Sequence, residues 1–432
     1  MSPRRLLQAF AIVALAASGG FVAYRWRTRS RPNSPARVPH RVAAPRSAPR
    51  TLVASPVAPP PLDAPPIPGP PRMFRLDPRH TGRSGFLLPR HPRILARFET
   101  GARISAQPVV GIDGRILVGS HDGVLYAVQP EGARVAWRFA ASDRVYTTPF
   151  VRDDGRVFFG SDADRFFSIT ARGALEGALA TDDDADTSAV PAPDGTLRFA
   201  SGRVLYSLDG ELTVRWRLEF GGKVFSSPAM LADGTAIIGS QDDGIYAIDT
   251  TGAMRWHVAT GGDVDATPAV DDRGVVYVGS DDGIVYALQS ADGAVRWRRD
   301  LGGYVRAGVA LGLDGSVVVG TFGPRVRIVS LDRDTGAVRW SIPIAGPPTR
   351  DYGIASAAIV DREGRYAIGA PDDALRIIAR DGSVESRVAM PSDVDSPPVL
   401  IRDGVIAVGC DDGGLFLLGD APVTIPTDAG AR

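Results

Sequence analysis

The chain has 432 residues, 44% of them hydrophobic, with 49 basic and 49 acidic side chains, so its formal net charge is zero. That neutrality hides a segregation: residues 1–72 hold 11 Arg and a single acid, Asp63, and carry +10, which leaves −10 for the remainder. An acidic body excludes nucleic acid as a partner, because phosphate repulsion acts against it, and the single cysteine, Cys410, excludes an intramolecular disulfide.

At the N-terminus, Arg4-Arg5 precede an apolar run from Leu6 to Tyr24, about 19 residues broken by Gln8 and Ser18 and long enough to cross a bilayer as a helix. Ala14-Leu15-Ala16 also offers a small-x-small cleavage site, so a removed signal is the alternative to an anchor. Continuation through Phe21-Val22-Ala23-Tyr24 and a tryptophan at the interface, Trp26, favour the anchor. Residues 1–27 are therefore read as a signal or anchor segment, with a transmembrane helix over about 6–24 that attaches the protein to a membrane. No cysteine near the run suits a lipid anchor. Residues 28–72 form a Pro/Arg-rich linker, with 14 prolines between positions 32 and 71. Such a composition buries no core, and the segment is expected to be a stiff, extended, disordered spacer, spanning roughly 100 Å at about 3 Å per residue. Its arginines suit anionic headgroups.

From about residue 100 to 420 one pattern recurs eight times. It begins with a strand of small residues and proline and a DG-type turn, then a short strand ending in Gly-Ser. An Asp-Gly turn, an aromatic strand, a Gly turn and a strand with Trp follow. The pivots stand at Gly119, Gly160, Ala200, Gly239, Gly279, Gly320, Gly369 and Gly409, with steps of 41, 40, 39, 40, 41, 49 and 40 residues. Turn residues every eight to twelve positions leave room for strands of about five residues and for no ordinary helix. Ala266-Thr267-Pro268-Ala269-Val270, Val275 to Ser280, Ile284 to Leu288 and Ala294 to Trp297 make four strands, the content of one propeller blade. Units this small bury their faces only against one another. The fold predicted over 73–420 is an all-β, eight-bladed propeller of four-stranded antiparallel blades, followed by a disordered tail at 421–432. The last unit, Ser396 to Leu418, lacks its Trp strand, and Arg93 to Phe98 occupies the place of one before the first unit. That segment is predicted to complete the last blade and close the ring.

Leu331-Asp332-Arg333-Asp334-Thr335-Gly336-Ala337-Val338-Arg339-Trp340 and Ala287 to Trp297 resemble the pyrroloquinoline quinone (PQQ) repeat, whose A-x-D-x-x-T-G-x-x-x-W signature docks a tryptophan between neighbouring blades of an eight-bladed propeller. The resemblance implies that role for Trp137, Trp216, Trp256, Trp297 and Trp340. Two branches of the family lead to different expectations. PQQ-dependent dehydrogenases add an adjacent Cys-Cys pair and a calcium ion, and this chain has one cysteine. The propeller subunit of the outer-membrane β-barrel assembly machinery binds its partner through a loop that reads D-V-D-T-T-P-V-V. Asp263-Val264-Asp265-Ala266-Thr267-Pro268-Ala269-Val270 is similar to it, and Asp393-Val394-Asp395-Ser396-Pro397 echoes it three blades on. The lipid-carrying cysteine and the L-x-L-R loop of that subunit have no match here.

Arg25, Arg27, Arg29 and Arg31 outnumber Arg4 and Arg5, which by the positive-inside rule would keep the C-terminal side cytoplasmic. The spacer, the signal-like start and the export habit of the family point instead to a periplasmic propeller in the bacterial cell envelope. The Asp-Asp pairs at 242–243, 281–282, 372–373 and 411–412 read as turn residues, and Asp182 to Asp186 is the best of the acidic runs for a cation. Catalytic motifs are absent: no HExxH, GxSxG or P-loop occurs, and His121 and His257 read as solvent-facing. Cys410, in a Gly-Ser pivot, reads as a small core residue. The expected function is a non-catalytic, monomeric scaffold for protein partners in the envelope, possibly in outer-membrane protein assembly, with Asp263, Asp265, Asp393 and Asp395 as partner-binding residues and with no cofactor or metal. The alternatives are a PQQ-dependent oxidoreductase and a small-molecule-sensing propeller.

Overall fold

Each forty-residue repeat folds into a four-stranded antiparallel sheet, and eight such sheets make the ring. The computed structural model describes residues 69–347, 349 and 351–420, together with the backbone of 40–42. The apolar run, most of the Pro/Arg-rich segment and the tail after residue 420 lie outside the described residues. Among those described, no helix is long and apolar enough to cross a membrane.

In the fifth blade the strands are Ala269–Val270, Val275–Gly279, Ile284–Gln289 and Val295–Asp300, from the axis outward. The innermost strand is two residues long in seven blades, because eight strands converge on the axis. The two middle strands are buried on both faces in most blades, and the valines, isoleucines and aromatics in them pack against the next blade. One cluster joins Tyr277, Val285 and Trp297 of the fifth blade to Val305, Val317 and Val329 of the sixth. A β-bulge interrupts the outer strand pair of every blade, at Ala287/Leu288 in the fifth, and a bulge sharpens local twist.

Ring closure follows the prediction. Arg93–Glu99 runs antiparallel to Gly414–Gly419 and supplies the outermost strand of the eighth blade. His40–Val42 pairs with Arg217 to Glu219, giving the third blade a fifth strand.

The five tryptophans share one geometry. The indole N–H of Trp137, Trp216, Trp256, Trp297 and Trp340 donates to a turn carbonyl of the following blade, from Ala171, Thr250, Ser290, Arg333 and Arg380, at 2.8–3.1 Å. Each ring lies over a glycine of that turn; a Cβ at Gly336 would sit 2.6 Å from Trp297. The second blade has Gly177 in the Trp slot, and there the third blade replaces the turn glycine with Leu212, at φ +60°, whose side chain fills the space.

Residues 70–88 form a strap with no counterpart in the repeat. It follows the inner rim of the ring, where Val110, Val151, Met230, Val270, Leu311 and Val360 donate their N–H groups to the carbonyls of Pro71, Arg72, Pro78, Arg79, Thr81 and Gly82. Those donors are the last residues of the innermost strands, so the strap lies at one end of them, and the loops that enter those strands lie at the other.

Candidate functional site

The end of the innermost strands away from the strap is built from one repeated device. In seven of the eight loops that enter an innermost strand, an apolar residue inserts against the pivot glycine of the preceding blade; in the loop of the fourth blade Val224 clusters with the pivot Ala200. A Cβ at Gly239 would lie 2.3 Å from Val264 Cγ1, and one at Gly369 would lie 2.4 Å from Val394 Cγ1. Ile104, Val145, Ala185, Val305 and Ile354 fill the same slot against Gly409, Gly119, Gly160, Gly279 and Gly320. The residues on either side of this anchor are held at the mouth whatever their chemistry. They are Asp263 and Asp265 in the fifth blade and Asp393 and Asp395 in the eighth, all half-buried. The third blade offers Asp184 and Asp186 around Ala185. In the sequence that stretch is an acidic run suited to a cation; the burial of Ala185 against Gly160 makes it a third D-x-D.

A second layer comes from the residue after each pivot pair, which includes Asp162, Gln241, Asp281 and Asp411. Gln241 Nε2 donates to Asp265 at 3.1 Å. Arg103 bridges Asp395 at 2.6 Å and Asp411 at 3.2 Å. Arg306 forms a two-pronged pair with Asp281, at 2.9 and 2.7 Å, and lies over the rings of Tyr304 and Phe322. The following Asp of the 242–243, 281–282 and 411–412 pairs, or the first where it comes one residue later in the turn, has a structural task. Asp242 and Asp282 accept the N–H groups of Gly221 and Gly261 at 2.8 and 2.9 Å.

Nine carboxylates thus stand at the mouth, Asp162, Asp184, Asp186, Asp263, Asp265, Asp281, Asp393, Asp395 and Asp411, against Arg103, Arg144, Lys223 and Arg306. Burial first, and neighbouring like charge second, raise the proton affinity of several of them. Burial, then the charges of Asp281 and Asp263, push Asp265 up to about 7. Burial and Asp395 do the same to Asp393. Burial and the charge of Asp186 raise Asp162; burial, with the charge of Asp184, raises Asp186, and the hydrogen bond that Asp186 shares with Asp162 acts the other way. Burial and like charge both disfavour the ionised carboxylate, so these groups hold their protons more tightly than free ones.

Asp164, Asp183 and Asp184 bring one oxygen each within 4.8 Å of one another, and Lys223 Nζ already stands 3.0 Å from Asp183. His121 is half-buried rather than solvent-facing, with Nε2 2.8 Å from Ser105 Oγ and its ring 4.0 Å from that of Tyr146. Burial and the guanidinium groups of Arg103 and Arg144 lower it to about 3, so it is a poor base at neutral pH. His257 is also half-buried, stacked on Tyr246 at 4.5 Å.

A family model for outer membrane protein assembly factor BamB matches residues 87–180 and 200–419. The chain belongs to that family. Among solved structures, BamB from Moraxella catarrhalis aligns at 18% identity and a TM-score of 0.63, covering 76% of this chain and all of that one. A europium-containing methanol dehydrogenase aligns at 11% identity and a TM-score of 0.70, covering 82% of this chain and 98% of that one. A quinohemoprotein alcohol dehydrogenase from Comamonas testosteroni aligns at 12% identity and 0.68, covering 82% of each chain. These likenesses establish a shared propeller. No protein of curated function matches the chain.

The residue set of this BamB-family mouth does not fit a quinone capped by paired cysteines. Cys410 is the sole cysteine. It is fully buried, with Sγ against the carbonyls of Ser392 and Asp393 at 3.2 and 3.3 Å. It takes the place that Ser280 fills by bonding the carbonyl of Gly262, and burial pushes its thiol up to about 12.

Proposed function

We propose that the protein is a non-catalytic interaction scaffold of the bacterial cell envelope, acting in outer-membrane protein assembly, and that the acidic mouth docks a basic segment of its protein partner. The observation that carries this reading is the threefold D-x-D on apolar anchors: the anchors hold pairs of carboxylates in fixed places, and a basic partner offsets the repulsion between them. A periplasmic propeller agrees with family membership, and attachment of the N-terminal segment to a membrane agrees with that segment's basic charge.

The test is cross-linking in native envelopes followed by mass spectrometry, comparing the wild type with Asp263→Arg plus Asp265→Arg and with Asp393→Arg plus Asp395→Arg. Loss of a specific cross-linked partner with an unchanged circular dichroism spectrum is expected for at least one pair. Undiminished cross-linking in both would exclude the mouth as the docking site.

A further inference from the structure

The strap is laid out as a bound peptide rather than as a connecting loop. Its residues meet the blades in ring order. Pro71 bonds the first blade and Arg72 the second, and Met73 packs among Val190 and Ala192 of the third. Pro78, Arg79, Thr81 and Gly82 then bond the fourth to the seventh, and Leu87 accepts the N–H of Gly404 in the eighth. Nineteen residues complete one circuit.

The circuit has an anchor. A belt of side chains joins neighbouring innermost strands: Gln107 N–H donates to Thr148 Oγ1, Thr148 to Ser188 and Ser188 to Ser227, each at 3.0 Å, and Ser227 to Thr267 at 3.4 Å. The belt stops at the sixth and seventh blades, where Gly308 and Ala357 occupy the equivalent positions. Arg75 fills that gap. Its Nη1 donates to the carbonyl of Ala358 at 2.6 Å and its Nη2 to that of Val309 at 2.7 Å, while its backbone N–H donates to Gln107 Oε1 at 2.9 Å. The guanidinium is fully buried, and a Cβ at Gly82, at φ +70°, would stand 2.5 Å from Nη2. Small residues on both sides shape a socket for one arginine. Arg75, Leu76 and His80 take φ of +57°, +75° and +59°, values that L-residues avoid unless their surroundings impose them.

Beyond the strap the chain passes through exposed Arg90 and His91 into Arg93–Glu99, the outermost strand of the eighth blade. A pull on the N-terminal segment would otherwise peel that strand from Gly414–Gly419. We propose that the inner rim of the ring is a peptide-binding site whose ligand is the chain's own residues 70–88, anchored by Arg75, so that load arriving through the N-terminal segment is borne by the strap and not by the closing strand. Main-chain bonds to the rim supply affinity, and the arginine socket fixes the register.

A site-specific protease sequence inserted between Arg90 and His91 of the full-length chain tests this. After cleavage of the folded protein, the N-terminal fragment should stay with the ring through size exclusion, and Arg75→Ala should speed its release at least tenfold. Immediate separation of the wild-type fragments would overturn the proposal, and so would equal release rates for the two. If Arg75→Ala does not fold, synthetic peptides of residues 70–88 offered to the cleaved wild-type ring give the same comparison. The native peptide should displace the fragment at least tenfold more effectively than one carrying Arg75→Ala, and equal displacement would overturn the socket.

Discussion

Gly336→Ala probes the contact between blades that the repeat signature encodes. The new methyl group acts in two ways. Gly336 has φ +66°, which costs alanine about 1 kcal/mol relative to glycine. The methyl also falls 2.6 Å from Cε3 and 2.8 Å from Cδ2 of Trp297, a residue only 9% exposed whose indole is fixed by a 2.8 Å bond to Arg333. Overpacking of that kind costs about 1–3 kcal/mol, so the total is about 2–4 kcal/mol. Gly114→Ala isolates the backbone part, because Gly114 has φ +81° and nothing within 4 Å of its would-be Cβ; it should cost about 1 kcal/mol. Trp297→Leu removes the obstructing ring, so Gly336→Ala in that background should fall to the cost of Gly114→Ala. The assay is denaturant unfolding of the full chain followed by far-ultraviolet circular dichroism, with the four proteins treated as a double-mutant cycle plus control. Strict additivity of Gly336→Ala and Trp297→Leu, or equal costs for Gly336→Ala and Gly114→Ala, would refute the docking role of the tryptophan.

Two further outcomes concern pH. His80 is fully buried in the strap; burial, and then the charge of Arg75, lower it to about 3. The unfolded chain therefore binds the extra proton. Stability is intact above the unfolded value of 6.5 and falls as pH drops through it toward 3, by about 2 kcal/mol at pH 5. Thermal melts should show this loss in the wild type and not in His80→Asn, which keeps a residue tolerant of positive φ; identical acid sensitivity in both would exclude His80 as its source. At the mouth the shift runs upward instead of downward, and the observable is binding. Asp265, raised to about 7, is charged above that pH and neutral below it, so cross-linking to a basic partner should rise between pH 6 and 8. Asp265→Asn should flatten that rise, and a profile unchanged by the substitution would remove Asp265 from the interface.

The blades were legible because their signals are local. A Gly-Ser strand end or an Asp-Gly turn declares itself within four residues, alternation of buried and exposed positions within six, and the recurrence of both declares the ring. Even the pairing of Arg93–Glu99 with Gly414–Gly419, about 320 residues apart, could be inferred, because a missing strand at one end and a surplus one at the other admit a single closed solution. Half of the mouth was legible for the same reason: Asp263, Asp265, Asp393 and Asp395 stand out as D-V-D. Asp184-Ala185-Asp186 escaped because its anchor is an alanine inside an acidic run. Its equivalence rests on contact with Gly160, which the sequence does not display.

The strap marks the boundary between the two kinds of information. Residues 70–88 have no hydrophobic period, no repeat partner and several residues forced to positive φ, so nothing within the segment announces an ordered structure. Its conformation is imposed by carbonyls and N–H groups from all around the ring, which come together only when the eight blades have closed. The forty-residue repeat by itself determined the blades, their number, the closing strand and the acidity of the body, since each follows from short-range chemistry repeated in order. The seating of Arg75 between Gly308 and Ala357, the burial of His80 and the anchoring of Asp184-Ala185-Asp186 on Gly160 were decided by tertiary structure alone, because they join residues whose separation in the chain carries no signal of their meeting.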